Sequence, residues 1–270
     1  MSTLTITIVQ PDLQWEDKAS NLKMFEEVIT SLKQKTELVV LPEMFSTGFS
    51  MKPELLAEKM DGESVQWMKR VASENKIILT GSLIISEGEN YFNRLIWMLP
   101  NGQFGYYDKR HCFAFAGEDE HYAPGNKRLI AQVKGWKINL QVCYDLRFPV
   151  WARQQPTESG EIEYDLLVYV ANWPQRRAHA WKTLLQARAI ENQCFVVGVN
   201  RVGNDGNNIY HSGDSMVIDP LGEVLYHQAD KADTFTITLD LQKLEEVRSK
   251  FPFWKDADNF ELINIKSTEE

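Results

Sequence analysis

Apolar residues fall along this chain in short β-branched or aliphatic runs that recur from end to end: LTITIV (4–9), ELVVL (37–41), KIILTGSLII (76–85), YFNRLIWML (91–99), WKINLQV (136–142), DLLVYV (165–170), FVVGVN (195–200), SMVI (215–218) and TFTITL (234–239). Runs of this length and residue type predict strands. Two segments carry a different period. Leu22, Phe25, Val28, Ile29 and Leu32, and then Trp181, Leu184, Leu185 and Arg188 within 178–192, recur near spacings of three and four, which predicts helices with one face on a core. Helices intervene between only some of the strands. Elsewhere strand follows strand across Leu99-Pro100-Asn101-Gly102, Val133-Lys134-Gly135-Trp136 and Asp219-Pro220-Leu221-Gly222, turn chemistry that predicts hairpins. Alternation in some places and hairpins in others predicts α/β layers with mixed sheets rather than a simple doubly wound fold. No repeat and no Pro-, Gly- or Ser-rich divider interrupts the pattern, so 1–270 reads as one domain.

Composition narrows the function classes. Thirty-eight acidic against twenty-nine basic side chains leave a formal charge of −9, which repels phosphate backbones and anionic lipid and argues against nucleic acid as a partner. No apolar run approaches the roughly 18 residues that would cross a bilayer. Cys112, Cys143 and Cys194 are odd in number and widely spaced, which fits reduced thiols rather than a disulfide framework. With MSTLTITIVQPDLQW lacking the features of a secretory leader, a cytoplasmic location is expected. His111, His121, His179, His211 and His227 form no HExxH or CxxC spacing, so no metal is expected and these histidines read as loop or surface residues.

Four chemistry-bearing positions follow strand candidates directly: Glu43 after ELVVLP, Lys109 after GQFGYYD, Cys143 after KINLQV, and Asn172-Trp173 after LLVYVA. In layered α/β proteins the carboxyl ends of strands converge on one rim, where loops hold ligands and catalytic groups. WKINLQV-CYD-LRFPVWARQ reads as strand, abrupt turn and helix, which would place Cys143 at a helix N-terminus where N–H groups favour a thiolate. Glu43 ends a strand apolar enough to be buried on both faces, so its carboxylate is expected to be desolvated and suited to a base. Taken singly, these residues look more like a core thiol, a loop carboxylate and a surface lysine.

Together, LPEMFSTGF, YDKRHCF and QVCYDLRFPVWAR resemble, in order and separation, the three signatures of the nitrilase superfamily, the carbon–nitrogen hydrolases with a Glu–Lys–Cys triad. The likeness continues through GEDEHYAPG, YVANWPQRRAHAWKTLLQARAIENQ, VVGVNRVG and HSGDSMVIDPLGEVL. Within the superfamily, CYDLRFP, ANWP, ARAIEN, GVNRVG and YHSGDSMVIDPLG resemble the ω-amidase branch, which hydrolyses 2-oxoglutaramate and related ω-amides of 2-oxo dicarboxylic acids. The resemblance implies a four-layer αββα sandwich with two mixed β-sheets, no cofactor, a small-molecule amide substrate and a homodimer, toward which a C-terminal tail from about 252 to 270 would extend. It places the catalytic Glu, Lys and Cys on Glu43, Lys109 and Cys143, and a further glutamate on Glu118, with Glu120 as close competitor. Cys112 departs from the second signature, where a larger aliphatic residue often follows the His, and is expected to be a packed apolar thiol.

The implied reaction starts when Glu43 takes the Cys143 proton and sulfur attacks the amide carbon, with the oxyanion held by Lys109 and the Tyr144 backbone N–H. Glu43 then protonates the ammonia and activates the water that opens the thioester. Arg176, just past the ANWP strand end, is the candidate partner for a substrate carboxylate, with Arg177 competing, and Trp173 is expected to wall the pocket. Arg147 is expected to pair with a nearby carboxylate such as Asp145. A nitrilase or an N-carbamoyl amino acid hydrolase would use the same triad, and a non-enzymatic sandwich would leave the triad free to vary.

Overall fold

The computed structural model describes residues 2–155 and 160–262. Strands β1 (Thr3–Gln10), β2 (Leu38–Val40), β3 (Ile78–Glu87), β4 (Asn90–Met98) and β5 (Phe104–Asp108) are followed by β6 (Leu129–Val133), β7 (Trp136–Val142), β8 (Leu166–Val170) and β9 (Phe195–Val199). The series ends with β10 (Val202–Asn204), β11 (Tyr210–Ile218), β12 (Val224–Ala229) and β13 (Asp233–Asp240). The helices are α1 (Lys18–Thr30), α2 (Pro53–Leu56), α3 (Glu63–Asn75), α4 (Glu118–His121), α5 (Pro149–Ala152), α6 (Ala178–Asn192) and α7 (Leu241–Lys250).

The strands form two mixed sheets. One runs β13-β1-β2-β3-β4-β5; the other runs β10-β11-β9-β8-β7-β6, with β12 on β11. Pairing is parallel along β1-β2-β3 and β7-β8-β9 and antiparallel at β13, β4, β5, β6 and β11. The period of two along a strand decides which residues meet which layer. Leu38 and Val40 point between the sheets, where they join Ile6, Ile8, Ile138, Leu140 and Val168. Val39 and Leu41 point the other way, onto Phe25 and Ile29 of α1 and Met68 and Val71 of α3. On the far side, Trp181, Leu185 and Ala189 of α6 cover the second sheet. The order is therefore helix, sheet, sheet, helix: the αββα sandwich that the resemblance implies.

Strand bounds differ from the apolar runs where chain chemistry intervenes. The short run 215–218 is the end of a strand that starts at Tyr210, because the polar HSGD stretch pairs with β10 and β12 at a bulge. Helix α3 carries Trp67, Met68, Val71 and Ala72 inward, yet Lys69, Arg70 and Glu74 dilute its apolar period. Helix α7 buries Leu244 and Arg248 along ten mostly polar residues. All three predicted hairpins form, joining β4 to β5, β6 to β7 and β11 to β12.

Of the C-terminal tail expected to reach a partner, 263–270 lie outside the described residues. The described part turns back on its own chain, where the Trp254 N–H donates to Gln193 Oε1 (3.1 Å). Among the described residues, no helix is long and apolar enough to cross a membrane.

Candidate active site

The carboxyl ends of β2, β5, β7 and β8 open on one rim, and Glu43, Lys109, Cys143 and Asn172 meet there. Glu43 Oε1 accepts from Lys109 Nζ (2.9 Å) and from Asn93 Nδ2 (2.8 Å). Its Oε2 accepts the Asn172 backbone N–H (2.8 Å). Glu118, the first residue of α4, brings Oε1 and Oε2 to 2.9 and 2.7 Å from the same ammonium. Asn93 Nδ2 lies 3.2 Å from Glu118 Oε1, and the Phe113 N–H donates to Oε2 (2.5 Å). Glu43 and Glu118 are 0% exposed and Lys109 1%. Glu120 is exposed, so Glu118 is the glutamate that meets the lysine.

Main-chain bonds hold these side chains in place. The Lys109 N–H donates to Asn93 O (3.0 Å) and Lys109 O accepts the Gly125 N–H (2.9 Å). A Cβ at Gly125 would collide with the Asp108 carbonyl, so this approach requires glycine. Asn172 Nδ2 donates to Glu43 O (2.5 Å), tying the β8 rim of one sheet to the β2 rim of the other.

Around Cys143 the structure corrects the expected strand–turn–helix. Residues Cys143–Arg147 form a single 3₁₀ turn, and α5 adds only four residues. Pro149 draws Phe148 out of helical geometry (φ −113°, ψ 88°), and Cys143 itself sits at φ +44°. A long helix is thus not what polarises the thiol. Burial, with the charge of Glu43 beside it, pushes the Cys143 thiol well above the usual range against the pull of Lys109. The shift favours the protonated sulfur at rest, with the neighbouring Glu43 carboxylate among the groups that raise it. Burial also raises Glu118, opposed by Lys109 and reinforced by Glu43. Burial disfavours the Lys109 ammonium, but Glu118 and Glu43 outweigh it and hold the lysine well above its usual value. The centre therefore brings together a raised thiol, buried carboxylates and a buried ammonium.

A cavity of about 250 Å³ opens onto Cys143 and Lys109. Phe49, Met51, Phe113, Tyr144 and Trp173 are among the residues that line it. Trp173 is buried; its backbone N–H donates to Asn200 Oδ1 (2.8 Å) and its indole to Arg177 O (2.8 Å). Arg147, Arg176 and Arg177 also line it. Arg147 does not pair with Asp145, whose oxygens are occupied elsewhere; its guanidinium lies 4.9 Å over the Trp173 ring. Arg177 lies 5.0 Å over Phe113 and is half-buried, whereas Arg176 is exposed. Among the described residues, none of the three has a carboxylate within ion-pair distance.

Three site residues escaped the sequence pattern. Asn93 interrupts the apolar run YFNRLIWML, and a buried amide inside such a strand was the available signal. Arg147 was assigned a different partner. His211, expected in a loop or on the surface, is instead buried in β11 and lines the cavity. Burial, helped by Arg201, lowers its imidazole to about 4, so it is neutral near pH 7. His227 likewise lies on a strand, bonded to Asp214 (2.7 Å). Cys112 packs beside Tyr122, and burial pushes its thiol up to about 12.

Comparison with known proteins places this geometry. The carbon-nitrogen hydrolase family model matches residues 5–249. The chain is 41% identical over 266 residues to omega-amidase YafV of Yersinia enterocolitica, covering 97% of this chain and 100% of that one. It is 33% identical to 2-oxoglutaramate amidase of Bacillus subtilis, covering 93% and 96%. A crystal structure from Xanthomonas campestris, XC1258, a CN-hydrolase superfamily protein with an arsenic adduct in its active site, superposes with a TM-score of 0.95 at 45% identity and covers 97% of this chain and 100% of that chain. Its two mixed sheets, its strand-end carboxylate, lysine and thiol, and these full-length matches make this chain a member of the carbon–nitrogen hydrolase family.

Proposed function

We propose that this protein hydrolyses the terminal amide of small ω-amides of 2-oxo dicarboxylic acids, such as 2-oxoglutaramate and 2-oxosuccinamate, to the acid and ammonia. The observation that carries it is a cavity lined by Cys143 and by Lys109, which bonds the buried Glu43, with three arginines on its wall that have no carboxylate within ion-pair distance among the described residues. The full-length likeness to proteins named omega-amidase and 2-oxoglutaramate amidase supports the same substrate class.

In this reading Glu43 accepts the Cys143 proton as sulfur attacks the amide carbon, and the oxyanion is held by Lys109 Nζ and the Tyr144 N–H. Collapse of the tetrahedral species breaks the C–N bond, and Glu43 returns the proton to the departing ammonia. Water enters, Glu43 takes one of its protons, and hydroxide opens the thioester to release the acid; the proton goes back to sulfur. Glu118 and Asn93 hold Lys109 and Glu43 in register throughout. Arg176, with the half-buried Arg147 and Arg177 beside it, receives the substrate's distal carboxylate, a pairing suited to a planar guanidinium. Trp173 walls the acyl chain.

The same proposal includes a homodimer and a cytoplasmic location. Exposed Val150 on α5, Ile190 on α6 and Leu221 in the neighbouring hairpin support a covered face, and three free thiols suit a reducing compartment. Light scattering after size exclusion, and cell fractionation, check these two statements.

The substrate test is ammonia release from 2-oxoglutaramate, a simple nitrile and an N-carbamoyl amino acid, with rapid-quench mass spectrometry of the Cys143 peptide. Turnover of the first with an acyl adduct on Cys143 is expected. Faster turnover of either other compound, or an active Cys143→Ala protein, would overturn the proposal.

A further inference from the structure

Lys109 follows a strand of one sheet and Cys143 follows a strand of the other, so no backbone ladder fixes their separation. Sheets packed face to face through apolar side chains resist separation more than sliding, because that packing has no directional bonds. Something directional must span the gap beside the site.

Asp145 is fully buried between the two loops and absent from the cavity lining. Its Oδ1 accepts the His111 backbone N–H (2.9 Å) and lies 2.8 Å from His111 Nδ1. Its Oδ2 accepts the Val142 N–H (3.0 Å) and the Tyr107 hydroxyl (2.7 Å). A carboxylate offers about four acceptor positions, so these donors fill it. The Tyr107 oxygen in turn accepts the Arg110 N–H (3.1 Å) and Trp151 Nε1 (2.9 Å). Burial, with the charge of Asp145, pushes the Tyr107 phenol well up, so it remains a donor to Asp145. The His111 ring is stacked on Phe148 (3.9 Å between centroids), which aims its Nδ1. Val142 immediately precedes Cys143, and Arg110 and His111 immediately follow Lys109.

We infer that Asp145, with Tyr107 and His111, is a positioning clamp that sets where the Cys143 turn stands relative to Lys109. The inference rests on the roles proposed above for those two residues. Asp145 never meets the reacting atoms; it acts through the main chain on either side. In Asp145→Asn at least one N–H is left facing an amide donor whichever way the new side chain turns.

The test compares Asp145→Asn, Tyr107→Phe and His111→Ala with Asp165→Asn. Asp165 is a similarly buried acid that accepts the Lys137 N–H (3.0 Å) and Arg248 Nη1 (2.7 Å) away from the cavity. The readouts are the alkylation rate of Cys143 by iodoacetamide, followed on its peptide, together with Tm, kcat and KM. Displacement of a reacting group by about 1 Å costs on the order of 10²-fold, so alkylation and kcat should fall roughly 10- to 100-fold in Asp145→Asn and Tyr107→Phe, with KM nearly unchanged. His111→Ala, which keeps its backbone bond, should show a smaller drop. Asp165→Asn should lower Tm and leave Cys143 alkylation at the parent rate. Parent-like alkylation and kcat in folded Tyr107→Phe and His111→Ala would overturn the inference, as would an equal loss in Asp165→Asn. Should Asp145→Asn fail to fold, the other two variants decide. If the parent turns over none of the proposed amides, the alkylation comparison still stands, so failure of the substrate reading and failure of the clamp are distinguishable.

Discussion

Replacing Lys109 by Met isolates what the buried cation does. Its Nζ lies 2.7–2.9 Å from three oxygens of Glu43 and Glu118, both 0% exposed. Removing it leaves two carboxylates sharing the Asn93 amide with no cation, and breaking a buried ion pair in this way costs about 3–5 kcal/mol. For a chain of this size that corresponds to a fall in Tm of roughly 10 °C. Loss of one oxyanion donor should lower kcat about 10²–10³-fold. The deficit has a pH signature. Glu118 is already raised, first by burial, and loses the lysine that opposes the rise. A carboxyl whose folded pKa lies above its unfolded value contributes stability that is fully present below the unfolded pKa, near 4.3 for Glu, and is lost as pH rises through the folded pKa. The gap in Tm between parent and Lys109→Met should therefore be wider at pH 8 than at pH 5. Adding Glu118→Gln, which removes one of the stranded charges, should narrow the gap at pH 8. Thermal melts at both pH values with ammonia-release kinetics measure all of this. A gap that is the same at pH 5 and pH 8, or a kcat within tenfold of the parent, would refute the reasoning.

Glu43→Gln removes the acceptor beside a thiol that keeps its proton, so kcat should fall about 10²–10⁴-fold, read by steady-state kinetics. Parent Cys143 should be alkylated by iodoacetamide faster than Cys112 or Cys194, whose thiols are raised by burial without a carboxylate placed to take the proton, and Glu43→Gln should abolish that lead. Arg176→Ala and Arg147→Ala should each raise KM for 2-oxoglutaramate while barely changing turnover of an amide without a distal carboxylate; an unchanged KM rejects the residue concerned. Asn93→Ala should lower kcat at least tenfold with KM nearly constant, because Asn93 Nδ2 touches only Glu43 and Glu118 in holding the lysine centre.

Strand-end placement of Glu43, Lys109 and Cys143 was legible because each follows an apolar run, and such ends gather on one rim. Electrostatics were not. A helix-end thiolate was a fair expectation from CYDLRFP, yet Pro149 cuts the helix to a turn, and the thiol is raised by burial instead. Asp145 looked like a partner for Arg147 two residues on, whereas its real partners come from Tyr107 and His111, more than thirty residues earlier. Local sequence names candidates for hydrogen bonds within a turn; it carries no distance between separate strands. His211 was misplaced for the same reason, since it is buried on β11, paired there with Gly203 of a separate strand.

By itself the sequence determined the period of each principal strand, the three hairpins, the order of the motifs and the residue types available for chemistry, because these depend on near neighbours and on the two faces of an extended chain. Only the tertiary structure decided that Glu118 rather than Glu120 meets Lys109, that Asn93 bridges two glutamates, and that Arg147 stands on the cavity wall. Those outcomes depend on two sheets closing on each other and excluding water, which changes charge energies and brings together groups that no stretch of chain holds side by side.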